Sequence, residues 1–243
     1  MEQKPFLNEL SENQIIIRDT IRDFAEKNIR TVIMEYDEAQ KFPMEIMKQL
    51  GELGFLGILV PEEFGGAGLG YVEYALIIEE LSKVDPSIGL SVAAHNGLCT
   101  NHINLFGSES QKKKYLPDLA SGRKIGAWGL TESYSGSDAA GLKSTAIKNG
   151  DNWILNGSKQ FTTHGTVGET YVVMAITNKD AGKKGISAFI LEKGMKGLII
   201  GKKENKLGMR ASDTTQLAFE NCKVPAKNLL GEEGMGFINS MKV

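Results

Sequence analysis

The N-terminal half of the chain spaces its apolar residues for amphipathic helices. Ile17, Ile21 and Phe24 recur at intervals of three and four residues, which predicts a helix capped by Ser11 or Asn13. The same spacing predicts further helices over residues 43–53, 74–81, 87–106 and 109–122. The segment 87–106 is mostly apolar on all sides, so we expect that helix to be buried.

In the C-terminal half, the apolar residues follow a shorter period, typical of β-strands. Thr145–Lys148 and Trp153–Lys159 flank the turn sequence NGD and predict a β-hairpin. Further short strands are predicted over residues 169–177, 186–191, 198–201 and 214–219. Several short strands at this spacing are typical of a barrel or a sandwich. The change of period falls near residues 121–124, and the chain is therefore predicted to be α+β, with helices first and strands second.

Composition narrows the classes of function. The chain has 243 residues, 41% of them hydrophobic, and a net charge of −2, which gives no field to attract nucleic acid or an anionic membrane. No apolar run approaches the roughly 18 residues of a membrane span, and the N-terminus is too polar for a signal peptide. Cys99 and Cys222 lack the spacing of metal ligands. We therefore expect reduced thiols, a cytoplasmic protein and no bound metal.

The sequence GLTESYSGSDAAG, from Gly129 to Gly141, concentrates glycines and hydroxyl side chains. Glycine lets a ligand approach the backbone closely, successive N–H groups can bind an anion, and hydroxyls both donate and accept hydrogen bonds. The residues alone leave two interpretations open, a wide surface loop and a ligand-binding loop. The stretch is neither a Walker loop nor a dinucleotide fingerprint, since no GK[ST] follows and no G-x-G-x-x-G opens a helix here.

The pattern G-L-T-E-x-x-S-G-S-D-x-x-G resembles the first signature of the acyl-CoA dehydrogenase family. Other segments of that family are similar, in order, to FPMEIMKQLGELGFLGILVPEEFGGAGLG, LSVAAHNGLCTNHINLFGSESQKKKYLP, WILNGSKQFTTHG and KLGMRASDTTQLAFENCKVPAKNLLGEEGMGF. Together these segments cover nearly all of the chain. The resemblance implies FAD as cofactor and the oxidation of an acyl-CoA thioester, of short to medium chain length, to the trans-2-enoyl-CoA.

The resemblance also implies a domain order. An N-terminal all-α domain is expected over residues 1–123, an antiparallel β-barrel-like middle domain over 124–234, and the start of a C-terminal helical domain over 235–243. In the family this last domain is a four-helix bundle that carries the catalytic glutamate. The chain is therefore expected to be a fragment, truncated before the bundle, with no catalytic residue of its own. A non-catalytic acyl-CoA- or flavin-binding module, or a scaffold for a partner chain, is the alternative.

Cofactor-binding residues are implied in the same way. In the family, backbone groups at Leu130 and Thr131 and the Thr131 hydroxyl contact the flavin ring. Gly136 and Ser137 lie along the flavin pyrophosphate and the pantetheine arm of the substrate, and Phe161 packs beside the ring. The full set expected to bind FAD is Trp128, Gly129, Leu130, Thr131, Gly136, Ser137, Phe161, Thr162 and Thr163.

Other positions receive more specific expectations. Thr163 takes the position of a hydroxyl residue near flavin N5, and Thr162 replaces a usual isoleucine. Ser91, on the buried helix, is expected to bind the acyl-CoA together with Ser137. Glu132 and Asp138 are expected to organise the loop by accepting backbone N–H bonds. The family further implies an electron-transfer flavoprotein as electron acceptor, a homotetramer at full length and a place in fatty acid β-oxidation.

Overall fold

The computed structural model describes residues 9–243. Its first helix, α1 (Glu12–Phe24), begins at Ser11, whose hydroxyl accepts the N–H of Gln14 while the Gln14 side chain accepts the N–H of Ser11. This reciprocal cap selects Ser11 from the two predicted caps. The helix buries Ile21 and continues into π-helical turns over Ala25–Ile29.

Six further helices precede the strands and one follows them, within the described residues. Their bounds are Ile33–Glu38 (α2), Met44–Glu52 (α3), Tyr71–Val84 (α4), Pro86–Ala93 (α5), Asn101–Phe106 (α6), Glu109–Ala120 (α7) and Gly236–Ser240 (α8). Helices α1 to α5 pack around a shared apolar core. The sequence pattern does not predict α2, because its six residues are too few to establish a helical period.

The predicted buried helix over residues 87–106 is present, but it is not α-helical throughout. Helix α5 passes into π-helical turns over Ala94–Thr100 and then into α6. Asn96, which is buried, holds these turns in place. Its side-chain amide donates to the carbonyl oxygens of Phe55 and Val92, and its amide oxygen accepts the N–H of Ile58. π-Helical turns often accompany functional sites, and these line the cleft described below.

The strands form one mixed sheet. They are Gly126–Gly129 (β1), Thr145–Asn149 (β2), Asn152–Thr163 (β3), Thr170–Ile176 (β4), Ile186–Glu192 (β5), Leu198–Lys203 (β6), Thr214–Pro225 (β7) and Leu229–Leu230 (β8). Their order is β6-β7-β3-β2-β4-β5-β8, with β1 on β4. The predicted α+β fold is confirmed. The sheet departs from a wholly antiparallel one because β4 pairs in parallel with β1 and, at a single pair of residues, with β2.

Gly126, where β1 begins, is one residue at which the helices and the sheet meet. Its N–H donates to Nδ1 of His95 at 3.0 Å, and its carbonyl oxygen lies 2.9 Å from Nδ1 of His164. Nε2 of His95 in turn lies 3.0 Å from the carbonyl oxygen of Leu119, so the proton of this ring is on Nε2. Both rings are fully buried. His95 from the helical half and His164 from the turn after β3 therefore both bond to Gly126.

Cys99 and Cys222 are both buried and unpaired, as expected for reduced thiols. Burial raises the pKa of the Cys99 thiol to about 12 and that of Cys222 to about 11, so neither is a reactive thiolate near neutral pH. Among the described residues, no helix combines the length and the apolar character needed to cross a membrane.

Candidate flavin and acyl-CoA site

The predicted cofactor loop begins where β1 leaves the sheet. Trp128 is half-buried there, and its indole N–H donates to Nδ1 of His102 at 3.2 Å. Gly129 follows and is buried against the aliphatic stem of Lys159. A Cβ on Gly129 would lie only 3.1 Å from Cγ of Lys159. Glycine at this position therefore lets the lysine lie directly on the backbone of β1.

Glu132 organises the loop that follows β1. Its Oε2 accepts the N–H of Lys143 at 2.6 Å, and its Oε1 accepts the N–H of Ser144 at 3.1 Å. The backbones of Glu132 and Ser135 exchange two further hydrogen bonds, both at 3.0 Å. The organising role predicted for Glu132 is confirmed. Asp138 accepts a backbone N–H as predicted, that of Gly141 at 3.0 Å, but through its carbonyl oxygen, which also accepts the Ser135 hydroxyl at 2.6 Å.

The tip of this loop is open to solvent. Gly136 and Ser137 are exposed, and no atom outside the adjacent residues lies within 4 Å of a Cβ built on Gly136. Tyr134 is 81% exposed, and Nζ of Lys143 lies 4.4 Å from the centre of its ring. A ligand can therefore reach the loop backbone at Gly136 and Ser137 without displacing protein atoms.

Strand β3 carries a bulge beside the start of the loop. Its register with β7 shifts between Lys159 and Thr162, and Phe161, inside the bulge, has a φ of 53°. The N–H of Gln160 donates to the carbonyl oxygen of Thr131 at 2.8 Å, which ties the bulge to the loop. Phe161 is 67% exposed. A large aromatic ring is thus held in solvent by a backbone conformation that is uncommon for residues other than glycine.

The two threonines after Phe161 have different surroundings. Thr162 is buried, and its hydroxyl has no hydrogen-bond partner in the described part of the protein. Thr163 is half-buried and lies on the wall of a cleft of about 450 Å³, a volume typical of small-molecule sites. The other residues that line this cleft are Tyr71, Tyr74, Leu90, Ala93, Ala94, Gly97, Leu98 and Val243. The cleft is apolar and separates β3 from helices α4 and α5.

Ser91 faces the protein core and does not line the cleft. It is buried, and its hydroxyl donates to the carbonyl oxygen of Ser87 at 2.7 Å. Leu90 and Ala94, on the same continuous helix, supply the wall instead. A step of one residue turns a helix by about 100°, so a neighbour of a lining residue can point away from the cleft.

Lys159 is the functional candidate that the sequence-based expectations omitted. Its side chain is fully buried, and its Nζ lies 2.5 Å from Oε1 of Glu132 and 3.3 Å from the carbonyl oxygen of Leu130. Burial lowers the pKa of Lys159. Burial by itself would raise the pKa of Glu132, but the Lys159 ammonium and the backbone N–H donors leave it below its ordinary value. The two groups therefore form a buried ion pair under the loop.

Two other side chains at the site also lay outside the sequence-based expectations. His102 receives the indole N–H of Trp128, and burial lowers its pKa to about 4, which keeps the ring neutral. Tyr74 lies across Gly97, where a Cβ would come within 2.5 Å of its hydroxyl oxygen. Within residues 9–243, no group of three or more His, Cys, Asp or Glu side chains is arranged to hold a metal ion.

Comparison with protein families places both halves of the chain. Residues 11–123 match the model of the acyl-CoA dehydrogenase N-terminal domain, and residues 127–222 match that of the acyl-CoA dehydrogenase middle domain. A short-chain-specific acyl-CoA dehydrogenase of Clostridium acetobutylicum is 48% identical over 233 residues, which are 96% of this chain. They are 62% of that protein, so the chain spans less than two thirds of its relative.

Solved structures agree with this placement. A chain from the study of the electron transferring flavoprotein of Acidaminococcus fermentans gives a TM-score of 0.95 at 48% identity, over 98% of this chain and 62% of that one. An acyl-CoA dehydrogenase of Bacillus anthracis, solved in complex with FAD, gives 0.88 at 38% identity, over 97% of this chain and 40% of that one. The chain belongs to the acyl-CoA dehydrogenase family, of which it carries the N-terminal and middle domains.

Proposed function

We propose that the chain supplies the flavin-binding and acyl-binding surfaces of an enzyme that oxidises short- to medium-chain acyl-CoA thioesters to trans-2-enoyl-CoA. Family membership supports the reaction, and the Clostridium relative, which is named short-chain specific, supports the substrate class. The cofactor in this proposal is FAD, which the Bacillus anthracis relative binds.

Phe161 carries the proposal. A phenyl ring that is 67% exposed on a bulge leaves much of its apolar area in water. Covering such a ring contributes about 1.5–3 kcal/mol, which gives a planar apolar ligand a reason to bind there. The left-handed φ of 53° is a further cost that a ligand contact would offset.

The neighbouring groups fit the parts of FAD. Thr131 and Thr163 are partly exposed, so their hydroxyls and the adjacent backbone can bind the polar edge of a flavin ring. Gly136 and Ser137 present open backbone and a hydroxyl of the kind that a pyrophosphate needs. The apolar cleft beyond Thr163 can take an acyl chain and exclude water.

The residues of the chain have limited roles in the chemistry. When bound, FAD would accept the hydride that leaves Cβ of the thioester. Thr131 and Thr163 would orient the cofactor, while the cleft would hold the acyl chain in place. No Asp or Glu lines the cleft, and both carboxylate oxygens of Glu132 are already hydrogen-bonded. We therefore assign no catalytic base among residues 9–243.

Flavin titration tests the proposal directly. We expect the chain to quench flavin fluorescence as it binds FAD. Phe161→Ala should weaken FAD binding by about tenfold or more, because it removes the apolar surface that the ring system covers. Both proteins are titrated with FAD under the same buffer conditions, after circular dichroism has shown that both are folded.

Ile147→Ala is the matched control. Ile147 is 66% exposed on β2, so its truncation removes a similar fraction of exposed apolar surface from another part of the same sheet. We expect this variant to bind FAD as the wild type does. A wild-type chain that binds no FAD would contradict the proposed function, and equal affinities in all three proteins would remove Phe161 from the site.

The finer assignments stay predictions. These are the electron-transfer flavoprotein as acceptor, the homotetramer, the place in fatty acid β-oxidation and the cytoplasmic location. The alternative of a non-catalytic binding module shares the same flavin contacts. It differs from the proposed enzyme only in whether an acyl-CoA thioester bleaches the bound flavin.

A further inference from the structure

Beneath the cofactor loop lies an ion pair for which the proposed chemistry has no use. Lys159 is fully buried and Glu132 is 8% exposed, which places both charges in the interior. Burying two charges costs several kcal/mol per ion unless each is well paired and hydrogen-bonded. Such a cost calls for an explanation beyond general stability, since apolar residues of similar volume would stabilise the core at least as well.

The pair connects the two ends of the loop. The ammonium of Lys159 donates to the carbonyl oxygen of Leu130 and to Glu132, at the start of the loop. Glu132 in turn accepts the N–H groups of Lys143 and Ser144, at the end of the loop. One buried unit thus closes the loop across its base.

The strand that carries Lys159 also carries the exposed aromatic ring. Gln160, the next residue, donates its N–H to the carbonyl oxygen of Thr131. Phe161 follows in the bulge. Residues 159 and 160 therefore fix the carbonyl groups of residues 130 and 131 in turn. The loop backbone and the ring of Phe161 have one common anchor.

We propose that Lys159 and Glu132 are positioning residues that hold the Leu130–Thr131 backbone and the Phe161 bulge in register for the cofactor. This inference rests on the proposed function, since it takes the occupant of the site to be FAD. Neither side chain needs to touch the ligand. Their effect passes through the carbonyl oxygen of Leu130 and through the N–H groups of Lys143 and Ser144.

Two measurements on the full chain test the pair. Hydrogen exchange in the absence of FAD reports whether the amides of Lys143 and Ser144 are held, and FAD titration reports whether the site is formed. We expect Lys159→Met to speed exchange at these two amides and to weaken FAD binding by about tenfold or more, as expected for the loss of charge-assisted hydrogen bonds. Glu132→Gln should shift both readouts in the same direction.

A double variant separates positioning from stability. Glu132→Gln with Lys159→Met removes both charges, so no unpaired ion remains buried. We expect its melting temperature to recover relative to the single variants, whereas its affinity for FAD stays low because the link to Leu130 is still missing. Recovery of wild-type affinity in the double variant would overturn the proposal.

The control variant disrupts the ion pairs of a different buried carboxylate, that of Glu80. Glu80 is 3% exposed in the helical domain and pairs with Arg22 and Lys83. We expect Glu80→Gln to lower stability without changing the FAD affinity. An equal loss of affinity in this control would show a general effect of stability and would overturn the proposal.

The two proposals fail in different ways. If the wild-type chain binds no FAD, the proposed function fails, and the exchange rates of Lys143 and Ser144 alone decide whether the pair fixes the loop. If the wild type binds FAD and Lys159→Met binds it equally well, the positioning role fails while the proposed function stands.

Discussion

Two glycines of the loop sequence differ sharply in their surroundings. A Cβ on Gly129 would lie 3.1 Å from Cγ of Lys159 and 3.3 Å from Cγ1 of Val173, while one on Gly136 would have no neighbour within 4 Å. The stem of Lys159 has little room to yield, because its ammonium is bound to Glu132. Gly129 is therefore required by packing, whereas Gly136 leaves space for a ligand.

This difference gives a prediction about stability. We expect Gly129→Ala to lower the free energy of unfolding by about 1–3 kcal/mol, the usual cost of overpacking a core. Gly136→Ala should change it by less than about 0.5 kcal/mol, since its site is open and exposed. Urea unfolding of the two variants and the wild type measures both values, and equal losses in the two variants would refute the packing argument.

At the residue scale, the sequence predicted roles that depend on neighbouring residues but not roles that depend on distant ones. The motif predicted that Glu132 organises the loop, since an acidic side chain among loop N–H groups needs such donors. It could not show that Lys159 is the partner, because 27 residues separate them and only the packing of β3 beneath the loop in the folded chain brings them together. Ser91 was predicted at the cleft for a related reason, since a mostly apolar helix does not show which of its sides faces a cleft.

At the scale of elements, the buried helix from α5 to α6 depends on one side chain. Asn96 satisfies the N–H of Ile58 and the carbonyl oxygens of Phe55 and Val92. Two of these groups belong to the segment after α3, which has no regular structure to satisfy them. Asn96 thus ties the π-helical turns to that segment and positions one wall of the cleft.

Removal of this side chain should be costly. We expect Asn96→Ala to lower the free energy of unfolding by about 2 kcal/mol or more, because it leaves buried backbone groups without partners. Asn104→Ala is the comparison, since half-buried Asn104 donates one hydrogen bond, to the carbonyl oxygen of Leu59, and should cost about 1 kcal/mol. Denaturant unfolding compares them, and a similar loss in both variants would contradict the anchoring role of Asn96.

Element predictions succeeded where the pattern is long and local. The spacing of apolar residues predicted α1, α3, α4 and α7, and the NGD turn predicted the β2–β3 hairpin. The π-helical turns and the parallel pairing of β1 with β4 escaped prediction. The π-helical segment has only 7 residues, too few to reveal a changed period, and strand direction depends on a partner more than 40 residues away in the chain.

The whole molecule contains three histidines, and all of them are buried. Burial lowers the pKa of His95 and of His102 to about 4 and also lowers that of His164. Each ring is therefore neutral in the folded chain at pH values where it would be half-protonated in the unfolded chain. Protonation of these histidines below neutral pH therefore favours the unfolded chain.

The sign of this coupling can be tested. Below about pH 6.5 the unfolded chain binds protons that the folded chain does not, so stability should fall as the pH drops from there toward 4. Each histidine contributes up to about 1.4 kcal/mol per pH unit in this window. The free energy of unfolding, measured in urea, should decrease as the pH is lowered from about 7 to about 5. A constant value would contradict the prediction.

One variant tests how much of this pH dependence of stability arises from His164. His164→Asn removes one titrating ring and keeps a residue that tolerates the observed φ of 64°. We expect the variant to lose less stability than the wild type over the same pH range. An unchanged slope would show that the pH dependence arises from groups other than His164.

The two histidine contacts to Gly126 also restrict movement of the helices against the sheet. A hinge between two domains requires few bonds across the joint, yet here Gly126 is bonded through both its N–H and its carbonyl oxygen, and Gln111 adds hydrogen bonds to the carbonyl oxygens of Lys227 and Leu229. Rotation of the helices against the sheet would break all of these at once. The cleft between Thr163 and Leu90 therefore keeps a set width, which limits the thickness of any molecule that can enter it.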